Sequence, residues 1–348
     1  MGLKVLYIVS ILPPYPGGAA VCYSNILSEL ADGREHGISE VRVLTEKGCF
    51  TNYGGAVKVH DRLYNYDSAE KKDKRFFNQV LNYLIIMGAI LFTRKDIVQI
   101  HARYVYAKYI GRIIWLVLLA TRSKVVIDIR DRFYDNLGFS HNFLVCSREL
   151  GEFYHWIEKK EHIPIPMEFK ELRKDIQKKH QIAYMGTIAL NKGIMELLEG
   201  YGKYLEESSN PLELRIWGQN MLGKEFEDKV AGLGKAEYMG SAPSSEIYSK
   251  ILECKGVILP SKSEGMPRIC LETMYCKRLI VCHASITSIT PYIPRQFILN
   301  EISPEEIKRV FFAMEAFEGE INYAYDLAAH SRDRIAADLV GFYNRVLN

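Results

Sequence analysis

Two glutamates eight positions apart, Glu264 and Glu272, bracket a Gly-Met-Pro turn in the stretch SEGMPRICLE. Between them the chain passes from loop residues to an apolar run. Gly265 tolerates backbone angles closed to other residues, and Pro267 suits the first turn of a helix, where its missing N–H costs nothing. A helix starting near Pro267 exposes the amides of Arg268, Ile269 and Cys270, and such an N-terminus is an anion site best matched to a phosphate. With Glu264 in the loop and Glu272 more than a turn into the helix, the two carboxylates cannot form a close dyad on one helical face. They are placed instead to accept hydrogen bonds from hydroxyls at either end of a phosphate-containing ligand. The alternative leaves Glu264 as a charge favoured near a helix start and Glu272 as a surface residue.

A second cluster, NKGIMELLEGY at 191–201, opens a helix after an apolar run. Lys192, just before Gly193, could reach a phosphate as a mobile point charge, or simply be a solvated lysine. Near the start, PYPGGAA at 14–20 is a strand–Gly-Gly–helix turn whose backbone could approach a ligand closely. It lacks the GxGxxG spacing of a dinucleotide fingerprint, and a tight structural turn is the alternative.

The elements that must position these loops alternate. KVLYIVS, VRVLT (41–45), IVQIH (97–101), KVVIDI (124–129) and FLVCS (143–147) read as buried strands, with helical stretches near 74–94 and 103–121. A charged segment at 166–180, introduced by Pro164 and Pro166, marks a domain junction. Beyond it QIAYMG, LELRIWG, GVILP and LIVCH resume the strand pattern, with a helix in KGIMELLEGYGKYLEE. This alternation implies right-handed crossovers and parallel sheets, hence two α/β halves. In such sheets function sits beyond the carboxyl ends of the strands. The loops to inspect are Pro13–Ala19, His101, Asp128–Asp135, Gly186–Gly193, Gly218 and Ser261–Pro267.

Composition narrows the class. The 348 residues suit two domains of ordinary globular makeup, with a net charge of +3. Residues 1–165 hold 22 Lys/Arg against 17 Asp/Glu, which leaves room for a basic face but does not describe a nucleic-acid protein. The seven cysteines contain no CxxC, so a zinc site is not expected, and buried thiols in a reducing compartment fit better. MGLKVLYIVS runs straight into a turn rather than resembling a signal peptide, and VLNYLIIMGAILF at 80–92 is too short for a bilayer span. The expectation is a cytoplasmic protein, at most peripheral on the cytoplasmic face of a membrane. Residues 71–95 mix basic, aromatic and apolar residues as interfacial segments do, with an ordinary core helix as the alternative.

Together, PPYPGGAAVCYSNILSELA, GTIALNKG and PSKSEGMPRICLETMYC resemble the family 4 glycosyltransferases, and the glutamate pair resembles that family's E-x7-E motif. The resemblance is collinear over nearly the whole chain. It implies a GT-B fold: two Rossmann-like parallel-sheet α/β domains facing a central cleft. Residues 1–165 would form the acceptor-binding domain and 166–322 the nucleotide-sugar domain, with 323–348 a helical region returning to the first. It implies a retaining transferase that moves a sugar from a UDP- or GDP-sugar to a glycan or lipid-linked acceptor, in bacterial surface polysaccharide synthesis, without metal or cofactor.

On the same resemblance, Glu272 matches the glutamate on the ribose hydroxyls and Glu264 the one near the donor sugar, flanked by the backbone of Gly265, Met266 and Pro267. Lys192 matches the lysine on the diphosphate, and Gly17 and Gly18 the loop that closes over it. His101 matches a histidine beside the reacting sugar. Gly186, Thr187, Gly218, Arg268 and Ile269 complete the donor-side set. The chain departs from the family at Thr187, where an arginine often follows the glycine, and Arg268 is the candidate replacement cation. It departs again after Cys276, where no Gly-rich loop follows, and at Arg130-Asp131, where His-Asp is common. These departures keep a non-catalytic scaffold as the alternative function. A hydrolase using both glutamates would need them across one scissile bond, which their placement disfavours.

Overall fold

A computed structural model describes residues 2–13, 18–32, 36–49, 51–64, 72–105, 111–121, 123–130, 142–262 and 264–348. The chain divides into two compact units, Met1–Glu168 with Ala328–Asn348, and Phe169–Leu327.

In the first unit β1 (Leu3–Ile8), β2 (Ile38–Glu46), β3 (Val57–Leu63), β4 (Ile97–His101), β5 (Lys124–Ile129), β6 (Asn142–Val145) and β7 (Lys160–His162) form one sheet in the order β3-β2-β1-β4-β5-β6-β7. Every pairing is parallel. A parallel sheet is covered on both faces, so its inner strands carry apolar residues at successive positions rather than alternating ones. β4 accordingly is buried at all five residues. Around it lie α1 (Gly18–Leu30), α2 (Lys72–Phe92), α3 (Ala102–Val105), α4 (Gly111–Ala120) and α5 (Arg148–Phe153).

In the second unit β8 (Gln181–Met185), β9 (Glu213–Trp217), β10 (Ala236–Tyr238), β11 (Gly256–Leu259), β12 (Leu279–His283) and β13 (Ile298–Leu299) run in the order β10-β9-β8-β11-β12-β13, again all parallel. Its helices are α6 (Ile194–Glu207), α7 (Lys224–Ala231), α8 (Ile247–Glu253), α9 (Arg268–Tyr275) and α10 (Pro304–Ala316). In α6, Ile194, Leu197, Leu198, Tyr201 and Tyr204 fall at helical spacing and form its buried stripe. The Tyr204 ring stacks on Phe311 of α10 at 5.1 Å. Ser303 caps α10, its hydroxyl accepting from the Glu306 amide ahead of a proline in the first turn.

The last helix, α11 (Arg332–Leu347), belongs to the first unit. It lies against α1. The Tyr343 hydroxyl donates to Gln99 Oε1 of β4 at 2.5 Å, and Gln99 Nε2 in turn donates to the Tyr7 hydroxyl of β1 at 2.7 Å. A buried polar chain of this kind fixes one seating for the helix, because each member left alone would be an unsatisfied group.

β3 and β7 escape the sequence reading. β3 is an edge strand with Lys58, His60 and Arg62 exposed, so its apolar content is halved. β7 has only three residues, too few to show a period. The helix expected over 103–121 is observed as α3 and α4, and residues 106–110 lie outside the described ones.

Candidate functional site

Strand order reverses direction between β1 and β4 in the first sheet and between β8 and β11 in the second. At each such point the loops leaving adjacent strands diverge and open a crevice at their carboxyl ends. Of the residues singled out from the sequence, His101 ends β4, Gly186, Thr187 and Lys192 follow β8, and Glu264 to Pro267 follow β11, while Gly218 follows β9 and Glu272 lies within α9.

In the second unit the loops after β8 and β11 meet. Gly193 has φ +69°, and a Cβ there would lie 2.2 Å from the Pro260 carbonyl oxygen, so only glycine lets the two loops close. Gly218, at the end of β9, has φ +152°, and a Cβ would lie 1.8 Å from the Gly186 carbonyl oxygen. The Gly186 amide donates to the Trp217 carbonyl at 3.0 Å, and the Ile188 amide to the Gln219 carbonyl at 2.9 Å. Gly186 and Gly218 thus serve the contact between neighbouring loops. Thr187 is exposed, and its carbonyl accepts from the Tyr184 hydroxyl at 2.8 Å.

Across this crevice Lys192 Nζ stands 2.7 Å from Glu264 Oε1. Both side chains are partly open to solvent, so the pair is accessible to a ligand. Ser263, beside Glu264, lies outside the described residues. Pro267 (φ −74°, ψ 104°) is the N-cap of α9 rather than its first helical residue. The Cys270 amide, expected to be available, donates to the Pro267 carbonyl at 3.0 Å, because the first turn tightens. The amides of Arg268 and Ile269 remain at the helix start, next to the half-buried turn of Gly265 and Met266.

Glu272 is not a surface residue. It is 3 % exposed, and Arg268, one turn earlier, donates through Nη2 to its Oε1 at 2.6 Å. Burial pushes the Glu272 carboxyl above its usual range, and the Arg268 charge works against that. Arg268 Nε is buried without a hydrogen-bond partner among the described residues. The guanidinium expected to serve a phosphate is therefore already committed to Glu272. The two glutamates, for their part, face two different cations and not each other.

In the first unit His101 ends β4, and Gly18 opens α1 after the loop from β1. A Cβ on Gly18 would meet nothing within 4 Å. Gly17 and Asp131 lie outside the described residues. His101 is buried with its ring edge-on to Tyr23 of α1 at 6.3 Å, and its Nδ1 accepts from the Arg103 amide at 3.2 Å. A neutral ring so held carries its proton on Nε2. Burial pushes its pKa down to about 4; Asp128 opposes this, while Arg103 and Arg130 add to it.

That depression has a measurable sign. Between pH 6.5 and 4 the unfolded chain binds a proton at this histidine that the folded protein refuses. The stability involved is complete above pH 6.5 and is lost as the pH falls through 4. We expect His101→Gln to flatten the decline of Tm across that window; an equally steep decline in the variant contradicts the assignment.

Sequence reasoning missed the role of Asp128. At the end of β5, its Oδ1 lies 2.7 Å from Arg130 Nε, with the carboxylate 1 % and the guanidinium 9 % exposed. Arg130 also lies over the Tyr23 ring at 5.2 Å. The available signal was an aspartate inside the apolar run KVVIDI, where a charge needs a partner. All seven cysteines are buried and none forms a disulfide. Among the described residues no three His, Cys, Asp or Glu side chains gather as a metal site.

The fold and site define a class. Two parallel-sheet α/β units, each with its loops gathered at a strand-order reversal, are the GT-B glycosyltransferase fold. Residues 168–300 match the family model described as Glycosyl transferases group 1, which marks the chain as a glycosyltransferase. No curated protein matches the chain in sequence. Among solved structures it is similar to HepE of Anabaena in complex with UDP and glucose, at 12 % identity and TM-score 0.63, covering 99 % of this chain and 97 % of that one. It is similar also to a glycosyltransferase from Rickettsia africae, at 14 % identity and TM-score 0.66, over 100 % and 99 % of the two chains. A third is the UDP-forming α,α-trehalose-phosphate synthase from Burkholderia xenovorans in complex with glucose-6-phosphate, at 11 % identity and TM-score 0.65, over the full length of both.

Proposed function

We propose that this protein is a retaining glycosyltransferase of the family 4 type that moves a sugar from a UDP- or GDP-sugar to a glycan or lipid-linked acceptor, in the building of a bacterial surface polysaccharide. The observation that carries the reading is the Lys192–Glu264 pair across the β8/β11 crevice, beside the start of α9.

Breaking a sugar–phosphate bond develops negative charge on the leaving diphosphate and an oxocarbenium-like centre on the sugar. The protein's main task is then to hold preorganised donors where that charge appears. In this reading Lys192 and the amides of Arg268 and Ile269 receive the diphosphate, Glu272 the ribose hydroxyls and Glu264 the sugar. The acceptor hydroxyl bonds to the anomeric carbon on the face the diphosphate leaves, and its proton passes to the departing phosphate oxygen. Configuration is thereby retained. His101 of the first unit is neutral and offers its Nε2–H as a hydrogen-bond donor.

Each cation meets the donor with a carboxylate already beside it. The diphosphate must draw Lys192 from Glu264, and the exchange leaves Glu264 to accept from a sugar hydroxyl. Arg268 has Nη2 held by Glu272 and, among the described residues, Nη1 left to contribute the charge that Thr187 does not. Its removal costs one charge-assisted hydrogen bond, so Arg268→Ala is expected to raise donor KM about 10- to 100-fold. An unchanged KM sinks that role.

A thermal-shift panel of UDP- and GDP-sugars tests the function, since a ligand specific to the folded state raises Tm by mass action. A shift with one of them is expected. No shift with any of them favours a non-catalytic scaffold, to which the exposed Thr187 already gives some support.

A further inference from the structure

We infer that the faces of α2 and α4 left uncovered by the first unit dock this protein on an anionic lipid bilayer. On α2, Phe77, Leu84 and Leu91 recur every seven residues along one side, flanked by Phe76 and Phe92, and all five are 53–88 % exposed. The opposite side, with Tyr83, Ile86 and Ile90, is buried in the unit. A surface helix of an ordinary soluble domain is polar on the side away from its core. This one carries no charged residue from Phe76 to Thr93. α4 packs beside α2 and repeats the arrangement: Ile114 and Leu118 are buried, while Ile113, Leu116 and Leu119 are 48–59 % exposed.

Charge identifies the occupant. Exposed Arg94 follows the last turn of α2, exposed Arg112 stands in the first turn of α4, and Lys72, Lys74 and Arg75 open α2 in sequence. Residues 71–127 hold eleven Lys/Arg against two Asp/Glu, in a chain whose net charge is only +3. Apolar helix faces with cationic flanks match the acyl boundary and anionic headgroups of a bilayer. A second copy of the chain would bring the same cationic excess against itself, and like charges brought face to face oppose association. Because each helix has its other face buried, both lie along the bilayer surface, and among the described residues no helix is long and apolar enough to cross it. The sequence pointed to residues 71–95 and to further positive charge over 94–115; the exposed apolar side of α4 is what the fold adds.

The inference does not depend on the donor chemistry, so its test stands apart from activity. The full chain is sedimented with vesicles of phosphatidylcholine alone and of phosphatidylcholine mixed with phosphatidylglycerol. Binding is expected to the mixed vesicles, weakened by salt, with Phe77→Ser combined with Leu116→Ser lowering the partition coefficient at least about tenfold. Absence of binding to mixed vesicles overturns the inference, as does equal binding to the neutral ones. Sedimentation velocity without lipid supplies the last arm. Self-association of the wild type that the double substitution abolishes would assign the face to a second copy instead.

Discussion

Replacing Lys192 by alanine is expected to lower kcat/KM for the sugar donor by about 10²- to 10³-fold, the usual effect of deleting one preorganised donor to a developing negative charge. The loss should leave the fold intact. The Lys192–Glu264 pair is a fifth to a quarter exposed, and an ion pair so open to water contributes about 0–1 kcal/mol. The variant should therefore melt within a few degrees of the wild type. The expected signature is a large kinetic defect on an unchanged scaffold. A variant with near-normal kcat/KM would remove Lys192 from the diphosphate and, with it, the central electrostatic step of the proposed reaction.

The second large effect concerns stability. Asp128→Ala leaves the buried Arg130 guanidinium without its counter-charge, and breaking a buried ion pair from one side costs about 3–5 kcal/mol. For a unit of this size that corresponds to a fall in Tm of roughly 6–20 °C. The same principle yields an internal control. Replacing both partners by apolar residues of similar volume, Asp128→Leu with Arg130→Met, should recover much of the loss, because no orphan charge remains. A fall below about 1 kcal/mol for Asp128→Ala would mean that Arg130 finds another partner or reaches water.

The two effects fall on different units, and they differ in how readable they were. Lys192 and Glu264 stand beside glycines at loop and helix starts, where a charged residue is locally unusual, and Glu272 follows Glu264 at a fixed spacing, so residue type and spacing were enough to select them. Their pairing was hidden, because a contact across 72 residues of sequence depends on strand order, which places β8 beside β11. The burial of Glu272 was hidden for a related reason. A glutamate in an apolar helix looks like its solvent side until the packing around α9 is known. Asp128 shows the converse case: a charge within a strand run was visible, but its partner Arg130, two residues on, was noted only as a departure from the family's His-Asp. Among the elements, the buried strands could be read from continuous apolar runs, whereas the polar edge strand β3 and the very short β7, β10 and β13 could not. The exposed apolar side of α4 was invisible because GRIIWLVLLA is apolar all round, and only packing tells which side meets the core.

Calorimetric titration of UDP and GDP into the wild-type protein and into Glu272→Gln tests the central claim most directly, because it isolates nucleotide binding from acceptor and chemistry. The account predicts saturable one-to-one binding of one of these nucleotides, weakened about tenfold or more when the buried carboxylate no longer receives the ribose hydroxyls. Failure of the wild type to bind either nucleotide, or equal affinity in the variant, would contradict it.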